Sequence, residues 1–478
     1  MRDLRHSLPQ SGDPTRPIAP APNGRSRGAP PSCGVYAHRR VRYAGLPVRV
    51  EGDGSTSGAT PMSFSRLRSA RRGFVASLVL SIAGVFTGVA QAEAAGTLAI
   101  APEARQIPVS GYTDPSLRAF DEMIVAYMQE HEIPGLVFGL MKDGRVLAQR
   151  GYGWRDEAMT EPMPHDAMLR IASVSKHITI AAVRELIDDG LLSLDDKAFD
   201  VGQPGGGVLP IEPFPELGDE RIKDITIEQL FHHQGGWDRS KVGDVTYREI
   251  DIAEAFGVAS PPGRERTLRW ILGQPLQFDP GSDRQYSNVG CLTLGLIVEH
   301  LTGRDLMDVI HERVLAPIGV PQTDHATGRT KRELADPREP FYHCGRTGKS
   351  VFDPNGEEIV YAYGGWHQEA RKGQGAHIST TATLLALLEH RWVNGPNIGA
   401  KRDPNGRGNW KWNHGGALPG TFANARQRGD GINFVVITNR RKPGDPGFAA
   451  QLRDRIDGLI DNGGIEWPQT DAVEAVTH

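Results

Sequence analysis

The sequence predicts an α+β fold: one antiparallel sheet built from both chain ends, flanked by helices, with a helical insertion. Two pairs of apolar segments each flank an Asp-Gly dipeptide: 136–140 and 145–148 around Asp143-Gly144, and 422–428 and 432–439 around Asp430-Gly431. Asp-Gly between apolar segments is a strong hairpin signal. The middle of the chain, 191–375, is dominated by short helical patterns and Gly/Pro loops. A single sheet that collects both hairpins accounts for this order of elements.

Helical patterns fill most of the remaining globular sequence, which begins near Ile107. Asp114 before Pro115 is a typical helix start, because aspartate caps the first turn and the first turn tolerates proline. Apolar residues at helical spacing predict further helices at about 173–189, 289–301, 380–392 and 448–460. We expect the active site in a cleft where these helices meet the sheet.

The first 92 residues predict a leader followed by an export signal. Residues 1–61 are rich in Pro, Gly, Ser and Arg without an apolar period, so we expect them to be disordered. After Met62 come a basic stretch, an apolar run over 74–89 and Ala90-Gln91-Ala92, the pattern of a cleaved secretory signal. A chain that starts at Met62 would carry this signal, 62–92, at its beginning, and 1–61 would then not be translated. We expect export to the periplasm or medium by the Sec or twin-arginine route, without membrane insertion after cleavage.

Charge and cysteine content argue against several classes of function. Residues 1–92 hold thirteen Arg and four acidic residues, or +9, so the remainder carries −13 within a net charge of −4. An acidic mature protein repels phosphate backbones, so nucleic acid is not an expected partner. Cys33, Cys291 and Cys344 fit neither a disulfide framework nor a zinc module. We expect neither a metal ion nor another cofactor.

The first candidate for chemistry is Ser173-Val174-Ser175-Lys176, at the start of the predicted helix 173–189. Residues three apart share a helix face, so Lys176 lies within reach of Ser173. A serine hydroxyl needs a neighbouring base to become a nucleophile, and an amine can serve. Free backbone N–H groups at the helix start can hold an oxyanion. A helix cap beside a solvated lysine is the alternative interpretation of so short a motif.

The second candidate is Tyr286-Ser287-Asn288, just before the predicted helix 289–301. Asn288 is expected to cap that helix, and the Tyr286 hydroxyl can point into the cleft. The phenol can act as a base if nearby positive charge lowers its pKa from about 10. A buried tyrosine followed by an ordinary cap is the alternative.

The third candidate is His414-Gly415-Gly416, which leads into the second hairpin and is predicted to be an edge strand beside the cleft. Two consecutive glycines let a ligand approach the backbone closely. His-x-Gly also occurs at His233 and His343, so the position before the hairpin selects His414.

In this order, Ser-x-x-Lys, Tyr-x-Asn and His-x-Gly resemble the motifs of the superfamily of serine β-lactamases, penicillin-binding proteins and esterases. The resemblance extends over roughly 114–461, and 225–237 is similar to the family's helix and loop between the first two motifs. It implies that 93–478 form one serine hydrolase domain, which acts through an acyl-enzyme on small ester, peptide or β-lactam-like substrates. The oligomeric state stays open.

The resemblance also implies the chemistry of the first two motifs. Ser173 attacks the substrate carbonyl, while Lys176 and Tyr286 share the proton transfers, with the identity of the base left open. Asn288 forms a hydrogen bond with the substrate or with Lys176.

For the third motif, the resemblance implies a substrate-binding strand that includes His414, Gly415, Gly416 and Ala417. The backbone N–H groups of Ser173 and Ala417 form the oxyanion hole. Many β-lactamases have lysine in the place of His414, so antibiotic hydrolysis is in doubt. Arg346 could supply the missing charge if its loop folds over the cleft.

Other classes of function have weaker support in the sequence. The segment 24–28 matches the Gly-x-Ser-x-Gly nucleophile elbow, but it lies in the leader without a strand before it or a helix after it. A zinc hydrolase would use His232, His233 and Asp238, whose spacing fits no usual site. The main alternative is a non-catalytic peptidoglycan- or β-lactam-binding protein of the same fold, which has no need of an intact Ser-Lys-Tyr set.

Overall fold

The computed structural model describes residues 106–441 and 448–472, and within them the predicted α+β architecture is confirmed. The strands there are β1 Val109–Thr113, β2 Gly135–Lys142, β3 Arg145–Gly153, β4 Leu169–Arg170, β5 Phe199–Asp200, β6 Leu209–Pro210, β7 His325–Thr327, β8 Thr347–Gly348, β9 Ile359–Val360, β10 His377–Ser379, β11 Lys411–Leu418, β12 Thr421–Arg428 and β13 Ile432–Thr438. The main sheet has the order β1-β3-β2-β13-β12-β11, with antiparallel neighbours. Strands from the two chain ends therefore meet at its centre.

The α-helices of the described residues surround this sheet and fill the insertion. They are α1 Arg118–Glu130, α2 Ser175–Asp188, α3 Ile227–Phe231, α4 Arg239–Val242, α5 Glu249–Phe256, α6 Arg264–Leu272, α7 Asn288–Thr302, α8 Leu306–Ile310, α9 Thr381–His390 and α10 Phe448–Asn462. Single 3₁₀ and π turns connect several of them. None of these helices is long and apolar enough to cross a membrane.

Both predicted hairpins are present, and the backbone of the first turn shows why that hairpin forms. Asp143 and Gly144 have φ of +51° and +78°, the left-handed pair that a two-residue turn requires. The second hairpin joins β12 to β13, and β13 pairs with β2 in the register Val436 opposite Phe138. The sequence pattern did not reveal β1, a short edge strand with few apolar residues.

Successive side chains of β2 point to opposite faces of the sheet and pack into two different hydrophobic clusters. Leu136, Phe138 and Leu140 pack in a cluster with residues of α1 and α10. Val137 and Met141 point the other way, into the larger cluster that includes residues of α2, α7 and α9. Residues of β11 and β12 border the second face as well, where the candidate site lies.

Two helix starts differ from the prediction. The helix expected from Ser173 begins as an α-helix at Ser175, after one 3₁₀ turn at Ala172–Val174. Asn288 is already helical and does not cap α7, so that prediction is wrong. Ser287 is the cap, because its backbone is extended and its Oγ accepts a hydrogen bond from Val289 N at 3.1 Å.

Some predictions lie outside the described residues: the leader 1–61, the signal 62–92, the elbow-like segment 24–28 and Cys33. Cys291 and Cys344 are buried and free, and Cys291 lies in α7 as its apolar surroundings predicted.

Candidate active site

The turn that carries Ser173 joins β4 to α2 through an unusual backbone. Ala172 has a φ of +47°, a left-handed conformation that costs a residue with a Cβ about 1–2 kcal/mol. Such strain persists where the surrounding structure enforces it, and it is common at active sites. Ser173 itself is half-buried and lines a cavity, whereas Ala172 and Val174 on either side are buried.

The structure brings Ser173, Lys176 and Tyr286 into direct contact. Ser173 Oγ lies 2.6 Å from the Tyr286 hydroxyl and 3.0 Å from Lys176 Nζ. Lys176 is 1% exposed and also donates to the carbonyl oxygen of Gln374 at 2.6 Å. Two possible bases are therefore within proton-transfer distance of one hydroxyl.

Two cations flank the Tyr286 ring. Lys176 Nζ lies 5.2 Å from the ring centroid and the Arg239 guanidinium carbon lies 4.5 Å from it. Both lie within the range of a cation–π contact. No sequence motif indicated Arg239, which follows the Gly-Gly-Trp-Asp loop at the start of α4.

Asn288 is placed two residues after Tyr286, on the first turn of α7, and it lines the same cavity as Ser173. Its side-chain Nδ2 donates to Asp244 Oδ2 at 2.6 Å. The family resemblance implied a hydrogen bond with substrate or Lys176, and it did not indicate Asp244. An Asp-x-Thr cap was visible in the sequence at Asp244, but its partner in α7 lies 44 residues away and was not.

The third motif lies on β11, which is an edge strand of the main sheet, as predicted. Gly415 and Ala417 are exposed, and Gly416 is buried against the Ser173 turn. Ala417 and Ser173 line one cavity.

His414 remains neutral at pH 7. Burial and the nearby Lys176 lower its pKa to about 4, and hydrogen bonds to the backbone of Val393 and Ser173 offset this only partly. Its Nδ1 lies 3.2 Å from the Val393 carbonyl oxygen, to which it donates. The site therefore lacks the positive charge that a lysine would supply at this position.

Two cavities meet at Tyr286. The smaller, about 240 Å³, contains Ser173, Asn288, Gln374 and Ala417. The larger, about 670 Å³, is lined by His233, Arg284, His414 and the apolar side chains of Phe231, Ile398 and Trp412. Tyr286 lines both cavities, and its hydroxyl contacts Ser173 Oγ. We call the two cavities the smaller and the larger arm of the cleft.

Arg346 is not the cation of this cleft. Its guanidinium carbon stacks 3.9 Å from the Tyr361 ring centroid, and it lines neither arm. The arginines that do line the cleft are Arg239 in the smaller arm and Arg284 in the larger one. Arg284 is two residues before Tyr286 in the sequence, so its place in the cleft could have been predicted from that of Tyr286.

The side chains considered for zinc have other contacts here. Asp238 caps α4 through Ser240 N, at 2.9 Å, and Ser240 Oγ, at 2.6 Å. The His233 ring lies 4.8 Å from the Tyr286 ring, and burial lowers its pKa to about 3. Within 106–441 and 448–472, no group of three or more His, Cys, Asp or Glu could hold a metal ion.

Comparison with known proteins identifies similar sequences and a similar fold. A sequence model described as Beta-lactamase matches residues 120–457. The esterase EstB of Burkholderia gladioli is 30% identical over 43% of this chain and 50% of its own length. The D-aminopeptidase of Brucella anthropi is 29% identical over 45% of this chain and 37% of its own length. The matches thus span half or less of these relatives.

A solved structure resembles the fold. The octameric penicillin-binding protein homologue from Pyrococcus abyssi superposes with a TM-score of 0.51 at 20% sequence identity. The superposition covers 72% of this chain and 77% of that one. At this identity the likeness concerns the fold alone.

Proposed function

Because the chain belongs to the beta-lactamase family, we propose that it is a serine hydrolase that cleaves small esters or amides through an acyl-enzyme. The observation that carries the proposal is the position of Ser173 Oγ, 2.6 Å from the Tyr286 hydroxyl and 3.0 Å from Lys176 Nζ. The names of two relatives, an esterase and a D-aminopeptidase, agree with this class of reaction.

In this mechanism, Ser173 transfers its proton to the Tyr286–Lys176 pair as Oγ attacks the substrate carbonyl carbon. The backbone N–H groups of Ser173 and Ala417 stabilise the oxyanion. The pair then returns the proton to the leaving oxygen or nitrogen, and the acyl group stays on Ser173. Water, deprotonated by the same pair, attacks the acyl-enzyme, and the proton goes back to Ser173 Oγ.

The substrate-binding residues of the proposal are Asn288, His414, Gly415, Gly416 and Ala417. We assign the leaving group to the larger arm, which Tyr286 lines and Ser173 does not. The acyl group then occupies the smaller arm with Ser173. The neutral His414 favours esters or short peptides over anionic β-lactams.

A non-catalytic binding protein of the same fold is the second candidate, and labelling of the nucleophile distinguishes the two. A fluorophosphonate probe should label the intact protein, and peptide mapping should place the label on Ser173. Ser173→Ala should abolish both label and ester turnover. A protein that binds penicillin or peptidoglycan peptides but neither reacts with the probe nor hydrolyses esters would be the binding protein.

A further inference from the structure

Arg239 is an exposed residue that lines the smaller arm of the cleft and does not line the larger one. Its guanidinium carbon lies 4.5 Å from the centre of the Tyr286 ring, and the Tyr286 hydroxyl lies 2.6 Å from Ser173 Oγ. The guanidinium is therefore one aromatic ring away from the proposed nucleophile.

The backbone that carries Arg239 is held in place by the residue before it. Asp238 is buried and caps α4, because its Oδ1 accepts from Ser240 N at 2.9 Å and from Ser240 Oγ at 2.6 Å. The Asp238 N–H in turn donates to Gln277 Oε1 at 3.0 Å. With its backbone fixed by the cap and its guanidinium stacked on Tyr286, Arg239 loses less conformational freedom when it binds a ligand.

The hydrogen-bond donors of Arg239 are unused. Among the residues that the structure describes, no hydrogen bond or ion pair engages its guanidinium. The contact with the Tyr286 ring uses the face of the guanidinium, whereas its five N–H donors lie in the plane. A stacked arginine elsewhere in the chain has a carboxylate partner: Arg371, 3.8 Å from the Tyr247 ring centroid, pairs with Glu249 at 2.7 Å.

The other charged groups near Ser173 do not neutralise Arg239. Asp244 lines the same arm, but its Oδ2 accepts from Asn288 Nδ2 and its Oδ1 accepts from Thr246 N and Thr246 Oγ1. Lys176 is buried and donates to two oxygen atoms. The smaller arm therefore offers an anion one accessible cation with free donors.

We propose that Arg239 is a specificity-determining residue that binds a carboxylate on the acyl group, so that the substrates are esters or amides of short dicarboxylic acids. The inference rests on the proposed hydrolase function and names its substrate class. A planar guanidinium matches a carboxylate with two parallel hydrogen bonds. A cation in the cleft of an otherwise acidic chain also attracts an anionic substrate.

The size of the smaller arm limits the length of this acyl group. Its volume is about 240 Å³. At about 30 Å³ for each group the size of a water molecule, an acyl chain of about six carbons with its terminal carboxylate fits the arm. The carbonyl carbon then lies at Ser173 and the carboxylate at Arg239.

This carboxylate differs from the one that a β-lactam carries. The carboxylate of a penicillin or cephalosporin is attached to the ring of the leaving nitrogen, which belongs to the larger arm. Arg239 does not line that arm, and His414, which does, is neutral at pH 7. Selection for an anionic acyl group is therefore compatible with poor binding of an anionic leaving group.

The test compares 4-nitrophenyl hydrogen adipate with 4-nitrophenyl 5-carbamoylpentanoate, which share the ester and the leaving group and differ in a terminal carboxylate against a neutral carboxamide. A second pair has one more methylene group, and the rate without enzyme is subtracted. The wild type should favour the carboxylate by about tenfold in kcat/KM in at least one pair, the value of a hydrogen bond to a charged group. High salt should reduce this preference, because it screens exposed charges.

Arg239→Gln should abolish the preference for the carboxylate. Arg248→Gln is the matched control, because Arg248 is also exposed and stacked on a ring, 5.0 Å from the Trp270 centroid, but lines neither arm. Arg284→Gln should keep the preference, since Arg284 lines the larger arm. Each result is a ratio of two esters with the same leaving group, so a general effect of a substitution on the rate cancels.

Equal rates for carboxylate and carboxamide at both chain lengths, or an unchanged preference in Arg239→Gln, would overturn the inference and leave the hydrolase function intact. Loss of the preference in Arg284→Gln would place the carboxylate in the larger arm and overturn it as well. If no ester is turned over and a fluorophosphonate does not label Ser173, the proposed function itself fails. The wild-type comparison at low and high salt tests the inference even if a variant does not fold.

Discussion

Gly416 of strand β11 lies against Ser173 so closely that a Cβ at Gly416 would be 3.0 Å from the Ser173 backbone nitrogen. The same Cβ would collide with the carbonyl oxygen of Ile171. These are backbone atoms, which cannot move aside as the end of a flexible side chain can. Because residue 416 is glycine, β11 can lie this close to the turn that carries Ser173.

Gly416→Ala should therefore separate the strand from the turn and misplace the two proposed oxyanion donors. We expect kcat to fall by about 10²-fold, the cost of a small misplacement at a reacting centre. The free energy of unfolding should fall by about 1–3 kcal/mol from overpacking. Gly458→Ala in α10 is the control, because a Cβ there would have no atom within 4 Å and Gly458 lines neither arm of the cleft. Equal kcat values for the two variants would contradict the prediction.

Lys176→Ala and Tyr286→Phe should each reduce kcat strongly, because each removes a group in contact with Ser173 Oγ. Loss of general-base assistance costs about 10²–10⁴-fold. Tyr361→Phe changes a tyrosine outside both arms of the cleft and should keep the wild-type kcat. Near-normal rates at normal Tm in both variants would mean that Ser173 is activated in another way.

Stability should decrease as the pH falls from about 6.5 to 4, because several histidines are buried in neutral form. Burial lowers the pKa of His377 to about 3, and it lowers those of His177 and His325 well below 6.5. In the unfolded chain each titrates near 6.5. Between these values the unfolded state binds protons that the folded state does not, so the free energy of unfolding falls by about 1.4 kcal/mol per pH unit for each group.

The measurement is Tm between pH 7.5 and 4.5, with proton uptake on unfolding taken from the slope of stability against pH. His377→Gln should make the slope shallower, whereas the exposed His300→Gln should leave it unchanged. A Tm that stays constant over this range would show that the imidazoles titrate alike in both states.

Export is the prediction that depends on the sequence alone. Ala90-Gln91-Ala92 after the apolar run predicts cleavage after Ala92. N-terminal sequencing of protein recovered from the periplasm or medium should begin at Glu93. A protein that stays in the cytosol with a mature N-terminus near Met1 would contradict it.

Short sequence patterns predicted those features of the fold and the site that depend on residues close together in the chain. Asp143-Gly144 specifies its turn through two positive φ values, and Ser173 and Lys176 meet because they are three residues apart near a helix start. The contact between Asn288 and Asp244 could not be predicted, because it joins the first turn of α7 to a residue 44 positions earlier, and only tertiary packing brings the two together. The Asn288 cap failed for a different reason: Ser287, one residue earlier, is an equally good capping residue.

We expect the charge of the substrate to affect the rate through the cations that face the cleft. His414 is neutral because its pKa lies at about 4, and the Arg346 guanidinium is stacked on Tyr361. Arg284 lines the larger arm, and in the part of the chain that the structure describes no hydrogen bond or ion pair engages its guanidinium. An anionic leaving group in this arm therefore has the solvent-exposed Arg284 as its cationic partner.

We expect kcat/KM for a chromogenic short-chain ester to exceed that for a chromogenic cephalosporin, because the neutral ester needs no cationic anchor. His414→Lys should shift the ratio towards the cephalosporin by about 10- to 150-fold, the value of a hydrogen bond to a charged group. Arg284→Gln should lower the remaining cephalosporin turnover and leave the ester rate unchanged.

A wild-type enzyme that prefers the cephalosporin would show that Arg284 or another cation anchors the carboxylate as well as a lysine does. If so, Arg284→Gln should remove that preference, because His414 stays neutral at the assay pH and cannot replace the lost charge.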